Sequence, residues 1–236
     1  MGNTVRALSR VKYAASRSLS PKSYWYLMGK LKPVAAVTSR HHTVEASLAS
    51  GADVESLLDR LGLLDPGADT LHIGSGLGRV EEHLRRRVHH CHGVDVSPSM
   101  VKRARRLVAH PNVTFEVTDG KDLAVLADGA FDLVYSFLVF QHLPRPQFRR
   151  YVGEAWAKLV AGGHLVFQVL VDEEGHHPEP PPSHPYGVRY YTRADVEDVL
   201  AAAGFTGVFR TDQQGEPDTG GSEGDVVFVA TKPASG

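Results

Sequence analysis

Asp69-Thr70-Leu71-His72-Ile73-Gly74-Ser75-Gly76-Leu77-Gly78-Arg79-Val80-Glu81-Glu82-His83-Leu84 is an apolar strand, a glycine-rich turn and the start of a helix. Glycines at 74, 76 and 78 allow backbone conformations closed to residues with a Cβ and let a ligand approach the main chain closely. The strand over 70–73 points its carboxyl end at the turn, and a helix from about Arg79 offers unpaired N–H groups beside it. Such a place binds a nucleotide-like molecule. A G-x-G-x-x-G dinucleotide fingerprint would need glycine at 79, where Arg79 stands.

Working outward, Gly93-Val94-Asp95-Val96 forms a second strand whose Asp95 falls 17 positions after Gly78. In a doubly wound sheet that carboxylate arrives beside the ribose of a bound nucleotide and accepts from its hydroxyls. The helix that follows has its own start signal, with Ser97 at the N-cap and Pro98 at N1. Met100, Ala104, Leu107 and Val108 form its apolar face. Val113 to Thr118 alternates as a third strand ending in Asp119-Gly120, and Phe131 to Ser136 is a near-continuous apolar run, as for a central strand buried on both faces. Pro146 opens a helix with Phe148, Tyr151, Val152, Ala155, Trp156 and Leu159 inward, ended by Gly162-Gly163. His164 to Val171 is the fifth strand. Thr192 and Asp195 form a variant capping box, with Val196, Val199 and Leu200 inward and Gly204 closing that helix. Phe205–Arg210 and Asp225–Thr231 make two last strands.

The run Gly74-x-Gly76-x-Gly78 followed by Gly93-Val94-Asp95-Val96 resembles the first two motifs of the class I S-adenosylmethionine-dependent methyltransferases, and the resemblance covers about residues 53 to 231. It implies an α/β fold, a doubly wound Rossmann-like sheet of seven strands in the order 3-2-1-4-5-7-6, with the last strand inserted antiparallel. Residues 51–236 would be the methyltransferase domain and 1–50 a basic arm with a helical lid. S-adenosyl-L-methionine would be the cofactor, with Gly74, Ser75, Gly76, Gly78 and Gly120 forming its backbone cradle. The resemblance assigns Val96 and Met100 to the flanks of the adenine and Asp119 to its amino group. Lys121-Asp122-Leu123 would cover the ring edge. Ser136 would also bind the cofactor, and Phe137 to Pro144 directly after it would be where the methionine end of the cofactor meets the substrate.

One position departs from the family. His72 occupies the slot, two before the first glycine, where Glu or Asp helps hold the methionine amino group. A neutral imidazole could still accept a hydrogen bond, whereas a protonated one would repel the sulfonium and ammonium. The expectation is a neutral His72 and a cofactor affinity that weakens below about pH 6.5.

Methyl transfer needs the nucleophile aligned and, for a hydroxyl, its proton removed. His142 is the first candidate for that base, with a structural clamp as its alternative; His41, His42, His176 and Tyr190 are others. No Asn/Asp-Pro-Pro-aromatic tetrad occurs, which argues against methylation of nucleobase nitrogens. The expected acceptor is therefore a small molecule, methylated on oxygen or nitrogen in specialised metabolism. A peptide or protein acceptor, and a cofactor-binding module without turnover, are the alternatives.

Arg6, Arg10, Lys12, Arg17, Lys22, Lys30, Lys32 and Arg40 precede the first acidic residue, Glu45. This basic arm is either a solvated terminus or a lid and docking surface. Tyr24 to Met28 is too apolar to be free, and packs on the sheet or closes over the substrate. Arg6 in place of Ser or Thr excludes a myristoylation signal. Asp53 is expected to cap a helix with Val54, Leu57, Leu58 and Leu61 on one face.

At 236 residues with a net charge of -1, the chain suits one compact domain with an elaboration and has no global attraction to nucleic acid. Cys91 is its one cysteine, so no internal disulfide forms. No apolar run approaches the ~18 residues that span a bilayer, and no signal peptide is visible. The reading is a cytoplasmic protein with neither nucleic-acid nor membrane partners. The His89-His90-Cys91-His92 run alternates faces on entering a strand, against a metal site there. Whether Glu174, His176 and His177 collect an ion stays open.

Overall fold

The computed structural model describes residues 21–34, 43–181 and 187–234. Arg6, Arg10, Lys12, Arg17, Arg40, His41 and His42 lie outside them. Among the described residues three helices come first: α1 (Pro21–Leu31), α2 (Val44–Ala49) and α3 (Gly51–Arg60). Then β1 (Asp69–Ile73), α4 (Glu81–Leu84), β2 (His90–Asp95), α5 (Pro98–Leu107), β3 (Val113–Val117) and β4 (Phe131–Ser136) alternate. A 3-10 turn (Phe140–His142), α6 (Arg145–Lys158) and β5 (Leu159–Asp172) follow. The chain ends in β6 (Tyr190–Tyr191), α7 (Arg193–Ala203), β7 (Thr206–Thr211) and β8 (Glu223–Thr231).

The sheet runs β3-β2-β1-β4-β5-β8-β7, and β6 pairs with the end of β5 off this path. This is the expected order once the two-residue β6 is counted. Strands β1 to β5 are parallel, with Leu71 opposite both His92 on β2 and Val134 on β4. β8 lies antiparallel between β5 and β7. The parallel strands therefore deliver their carboxyl ends, and the loops after them, to one edge of the sheet, where α/β folds bind ligands.

Both faces are covered. Leu71, Ile73, Phe140, Phe148, Phe167 and Phe228 pack with α6 and α7 on one side. Leu57, Leu58, Leu84, Leu133, Tyr135 and Val227 pack with α3 and α4 on the other. Burial on both faces explains why β4 and β5 read as continuous apolar runs rather than alternating ones.

Several local expectations are corrected. Ser50 rather than Asp53 stands at the N-cap of α3, and Asp53 is in its first turn. Leu61 is the C-cap there, while Val54, Leu57 and Leu58 are buried as expected. The helix after the glycines is a single turn from Glu81, although Val80, Leu84 and Val88 are buried as their spacing requires. Helix α6 ends at Lys158, and β5 begins at Leu159 with Gly162-Gly163 inside it, beside an irregularity in the pairing with β4. Trp156 faces outward, 36% exposed, with Lys232 Nζ 4.0 Å from its ring centroid.

Thr192 accepts from the Asp195 N–H at 3.0 Å, which is half of the expected box. The Asp195 carboxylate instead accepts from Arg145 at 3.3 Å. Gly204 closes α7 in the left-handed region at φ 95°. Next door, Arg193 joins three segments: Nη2 donates to Asp218 Oδ1 at 2.9 Å, and Nη1 to Glu173 Oε1 at 2.8 Å. The Arg193 guanidinium holds the Asp218 carboxyl below the usual carboxylate range. A carboxyl depressed in the folded state contributes stability above its unfolded pKa of about 4 and loses it as pH falls through the folded value. Asp218→Asn should flatten the acid side of the stability profile below about pH 4, measured by thermal melts. An unchanged acid limb would mean the pair contributes nothing there.

No helix among the described residues is long and apolar enough to cross a membrane.

Candidate cofactor and acceptor site

A cavity of about 500 Å³ opens at the carboxyl edge of β1, β2 and β4. The turn after β1 forms its floor. Gly74 and Ser75 donate their N–H groups to the Val94 carbonyl at 2.8 and 2.9 Å, which bends the chain back over β2. Gly74 has φ 83°, and a Cβ there would lie 2.3 Å from a Val139 methyl, so only glycine permits this approach. The Gly76 N–H donates to Asp95 Oδ2 at 2.9 Å and the Ser97 N–H to Asp95 Oδ1 at 2.8 Å. Asp95 thus clamps the glycine turn to the start of α5. Burial pushes its carboxyl up, against the pull of those two donors.

His72, Gly74, Ser75, Gly76, Asp95, Val96, Met100, Asp119 and Gly120 all line the cavity, as does His142. Gly78 and Ser136 do not. Gly78 is the close-packing glycine, where a Cβ would meet the Phe115 ring at 2.8 Å. Ser136 is fully buried and donates to the Ile73 carbonyl at 2.9 Å, tying β4 to β1 beneath the floor. Lys121 lines the mouth, whereas Leu123 is a core residue and Asp122 pairs with Arg150 at 3.0 Å. Asp119 is exposed, and the Lys121 N–H holds its carboxyl below the usual range.

One part of the lining is apolar, made by Phe137, Leu138, Val139, Leu143, Pro144 and Tyr151. Leu138 has φ 64°, in the left-handed region a branched side chain rarely adopts. Such strain recurs where a side chain must be aimed at a site. Across from this wall stands α1, which contributes Lys22 and Trp25. The Trp25 ring centroid is 5.5 Å from that of His142. Helix α1 rests on α5, where Ser99 Oγ donates to the Tyr26 carbonyl at 3.1 Å and Gly29 comes close to Met100. The aromatic segment therefore both packs and covers.

His142 is held from behind. Arg189, itself 1% exposed, donates through Nη1 to the His142 carbonyl at 2.9 Å and to the Gly187 carbonyl at 3.2 Å, and through Nη2 to the Pro181 carbonyl at 3.2 Å. His176, His177 and Tyr190 do not line the cavity. His177 stacks on Tyr190 at 3.9 Å, and His176 contacts Glu223 at 2.9 Å and Glu174 at 3.1 Å. In the second strand His90 and His92 share one face and both contact Thr114 Oγ1, at 3.3 and 3.1 Å, while His89 turns away to Asp69. Burial pushes the Cys91 thiol up to about 12, leaving it inert.

Residues 71–167 match the family model described as a methyltransferase domain. Over that stretch the chain is similar to the methyltransferase-domain family. The ubiquinone biosynthesis O-methyltransferase of Xanthomonas campestris pv. campestris (strain B100) is 34% identical over 83 residues. That stretch is 34% of this chain, and it spans about a third, 35%, of the relative's length. Among solved structures, the chain is similar to the [4+2]-cyclase SpnF, with a TM-score of 0.68 and 20% identity over 92% of this chain and 97% of that one. It is also similar to an N-methyltransferase of Haemonchus contortus solved with phosphomonomethylethanolamine and S-adenosylhomocysteine. There the TM-score is 0.62, with 17% identity over 77% of this chain and 52% of that one. These two likenesses are of fold.

The residues present fit the cofactor of such a domain. Gly74 and Gly76 present bare backbone to the cavity, and among the described residues the buried Ser75 Oγ and His72 Nε2 have no partner. Buried polar atoms of this kind require a donor or acceptor from elsewhere. Sequence reasoning missed Arg79 and Gln147 in the lining, and it missed Glu81 behind His72. No periodicity or motif marks them: Arg79 and Glu81 follow from how tightly the chain turns after Gly78, and Gln147 reaches in from α6, where its side-chain nitrogen donates to the Gly120 and Lys121 carbonyls at 3.1 and 2.6 Å.

Proposed function

We propose that this chain methylates an oxygen or nitrogen of a small, largely apolar acceptor. What supports this reading is the cavity, whose glycine-and-aspartate floor adjoins an apolar wall, with the His142 and Trp25 rings in contact in its lining. When bound, the cofactor supplies an electrophilic methyl carbon on a sulfonium.

The chain's own residues do the rest. Asp95, fixed by two backbone donors, has lone pairs left to accept from ribose hydroxyls. Asp119 and Gly120 take the adenine edge, and Val96 and Met100 its faces. Trp25 and Lys22 on α1 exclude water and position the acceptor against the wall. For a hydroxyl acceptor, His142 removes the proton. An acceptor with an aromatic or aliphatic body suits this wall, and specialised metabolism is the setting in which we place it.

The test is a thermal-shift comparison of S-adenosylhomocysteine with NAD, followed by incubation with S-adenosylmethionine and a panel of phenols and amines. S-adenosylhomocysteine, but not NAD, should raise the melting temperature by mass action, and a panel member should gain a methyl group. A shift by NAD alone would overturn the cofactor reading. Cofactor binding with no acceptor methylated would turn the proposal toward a module that holds the cofactor without turnover of it; the likeness to SpnF shows that a cyclase can share this fold.

A further inference from the structure

His72 and Glu81 form a buried pair in the wall of the cavity. Nδ1 of His72 lies 2.7 Å from Glu81 Oε1, and the two side chains are 2% and 0% exposed. The imidazole stacks on Tyr135, with centroids 4.5 Å apart and planes inclined by 25°. Both faces of the arrangement are therefore fixed, one by the ring and one by the carboxylate. His72 lines the cavity and Glu81 does not. Among the described residues, Nε2 of His72 is buried without a partner, as is the second Glu81 oxygen.

The chemistry of this arrangement is specific. A carboxylate only accepts, so Nδ1 carries the proton given to Glu81, and a neutral ring then presents Nε2 as an acceptor. An unmet acceptor in a buried wall is unfavourable, and a donor brought by a ligand relieves it. A positively charged donor gains more, because the Glu81 charge stands directly behind the ring. The cation already facing the pair is Arg79, which lines the same cavity and donates to the Ser50 carbonyl at 3.2 Å. Asp95 and Asp53 are the other charged groups whose fields reach this corner.

We propose that the His72–Glu81 pair receives the ammonium group of the cofactor's amino-acid arm, with Nε2 of the neutral ring accepting from it and Glu81 orienting the ring through Nδ1 and supplying the negative charge behind it. The carboxylate that the family keeps at position 72 is thus supplied from position 81, one imidazole further back. Glu81 is a positioning residue in this arrangement, and His72 is the contact. The inference rests on reading the cavity as an S-adenosylmethionine site.

Two ligands separate the amino-acid arm from the rest: S-adenosylhomocysteine carries it and 5′-methylthioadenosine lacks it. Titration calorimetry of both against wild type, Glu81→Gln and the double variant His72→Asp/Glu81→Gln tests the proposal. Glu81→Gln keeps an acceptor for the Nδ1 proton and removes the charge. It should weaken S-adenosylhomocysteine about tenfold or more, and leave 5′-methylthioadenosine within about twofold, which also shows that the variant is folded. The double variant, with a carboxylate at 72 and no second buried charge behind it, should recover most of the loss. Equal losses for the two ligands, no loss for either, or no recovery in the double variant would each overturn the proposal. In the wild-type chain, the side-chain ¹⁵N signal of His72 should move on adding S-adenosylhomocysteine and stay in place with 5′-methylthioadenosine; identical spectra would overturn it without any variant. Wild type that binds neither ligand would instead overturn the reading of the site itself.

Discussion

His142→Ala should lower turnover on a hydroxyl acceptor by ~10², while the affinity for S-adenosylhomocysteine stays within about twofold. The side chain stands at the acceptor end of the cavity, on the turn after β4, and its ring faces Trp25 rather than the glycine turn. Removing it takes a proton acceptor away from the reacting oxygen without touching the Gly76–Asp95 clamp. Its backbone also carries structure, because the His142 carbonyl receives Arg189. Alanine keeps that carbonyl, so the substitution separates the ring's role from the clamp's. A loss below threefold, measured by formation of S-adenosylhomocysteine, would reassign the ring to a structural role.

The second large effect is on stability. Gly51 opens α3 and is buried, and a Cβ built on it would lie 1.8 Å from the Arg79 carbonyl oxygen and 2.9 Å from His83 Cδ2. The nearest obstacle is backbone, which cannot rotate away as a side-chain tip can. Forcing the two segments apart should cost about 3 kcal/mol, at the upper end for overpacking. In a chain of this size that lowers the melting temperature by roughly 6–12 °C. Because Arg79 continues directly from the glycine turn, Gly51→Ala should also weaken S-adenosylhomocysteine. Gly153→Ala is the control. It sits within α6 with nothing inside 4 Å of its would-be Cβ, and alanine there should stabilise by about 0.5–1 kcal/mol. A Gly51→Ala melt equal to wild type would show that α3 can shift without cost.

The contrast between Gly51 and Gly74 shows what a sequence makes legible. Gly74 lies in a patterned turn after an apolar strand, and local geometry alone asks for glycine there. Gly51 follows Ser50 in an ordinary helix start, and its necessity comes from a turn 28 residues later. Strand order was readable because each apolar run has its own turn signals and parallel connections are constrained. Trp156 was misplaced inward because its helical spacing matches the buried face, while the contact that holds it out comes from Lys232 near the other end of the chain. The length of β5 was hidden by Gly162-Gly163, which read as a helix stop and instead sit in an irregular stretch of strand. Within the site, Asp95 and the glycines announced themselves by spacing. Glu81 did not, since a single helical turn is what brings its carboxylate back to His72.

Arg189 has a bearing on how molecules come and go. One guanidinium gathers the carbonyls of His142, Gly187 and Pro181, so the base-bearing turn and both flanks of the proline-rich loop share a single anchor. A displacement of that loop would drag the base out of register with its target. Helix α1, by contrast, sits on α5 through main-chain carbonyls and the gap at Gly29, and nothing of the base travels with it. On the proposed reading, acceptor and product would therefore pass on the Trp25 side, and the turn that carries His142 would keep its place through Arg189.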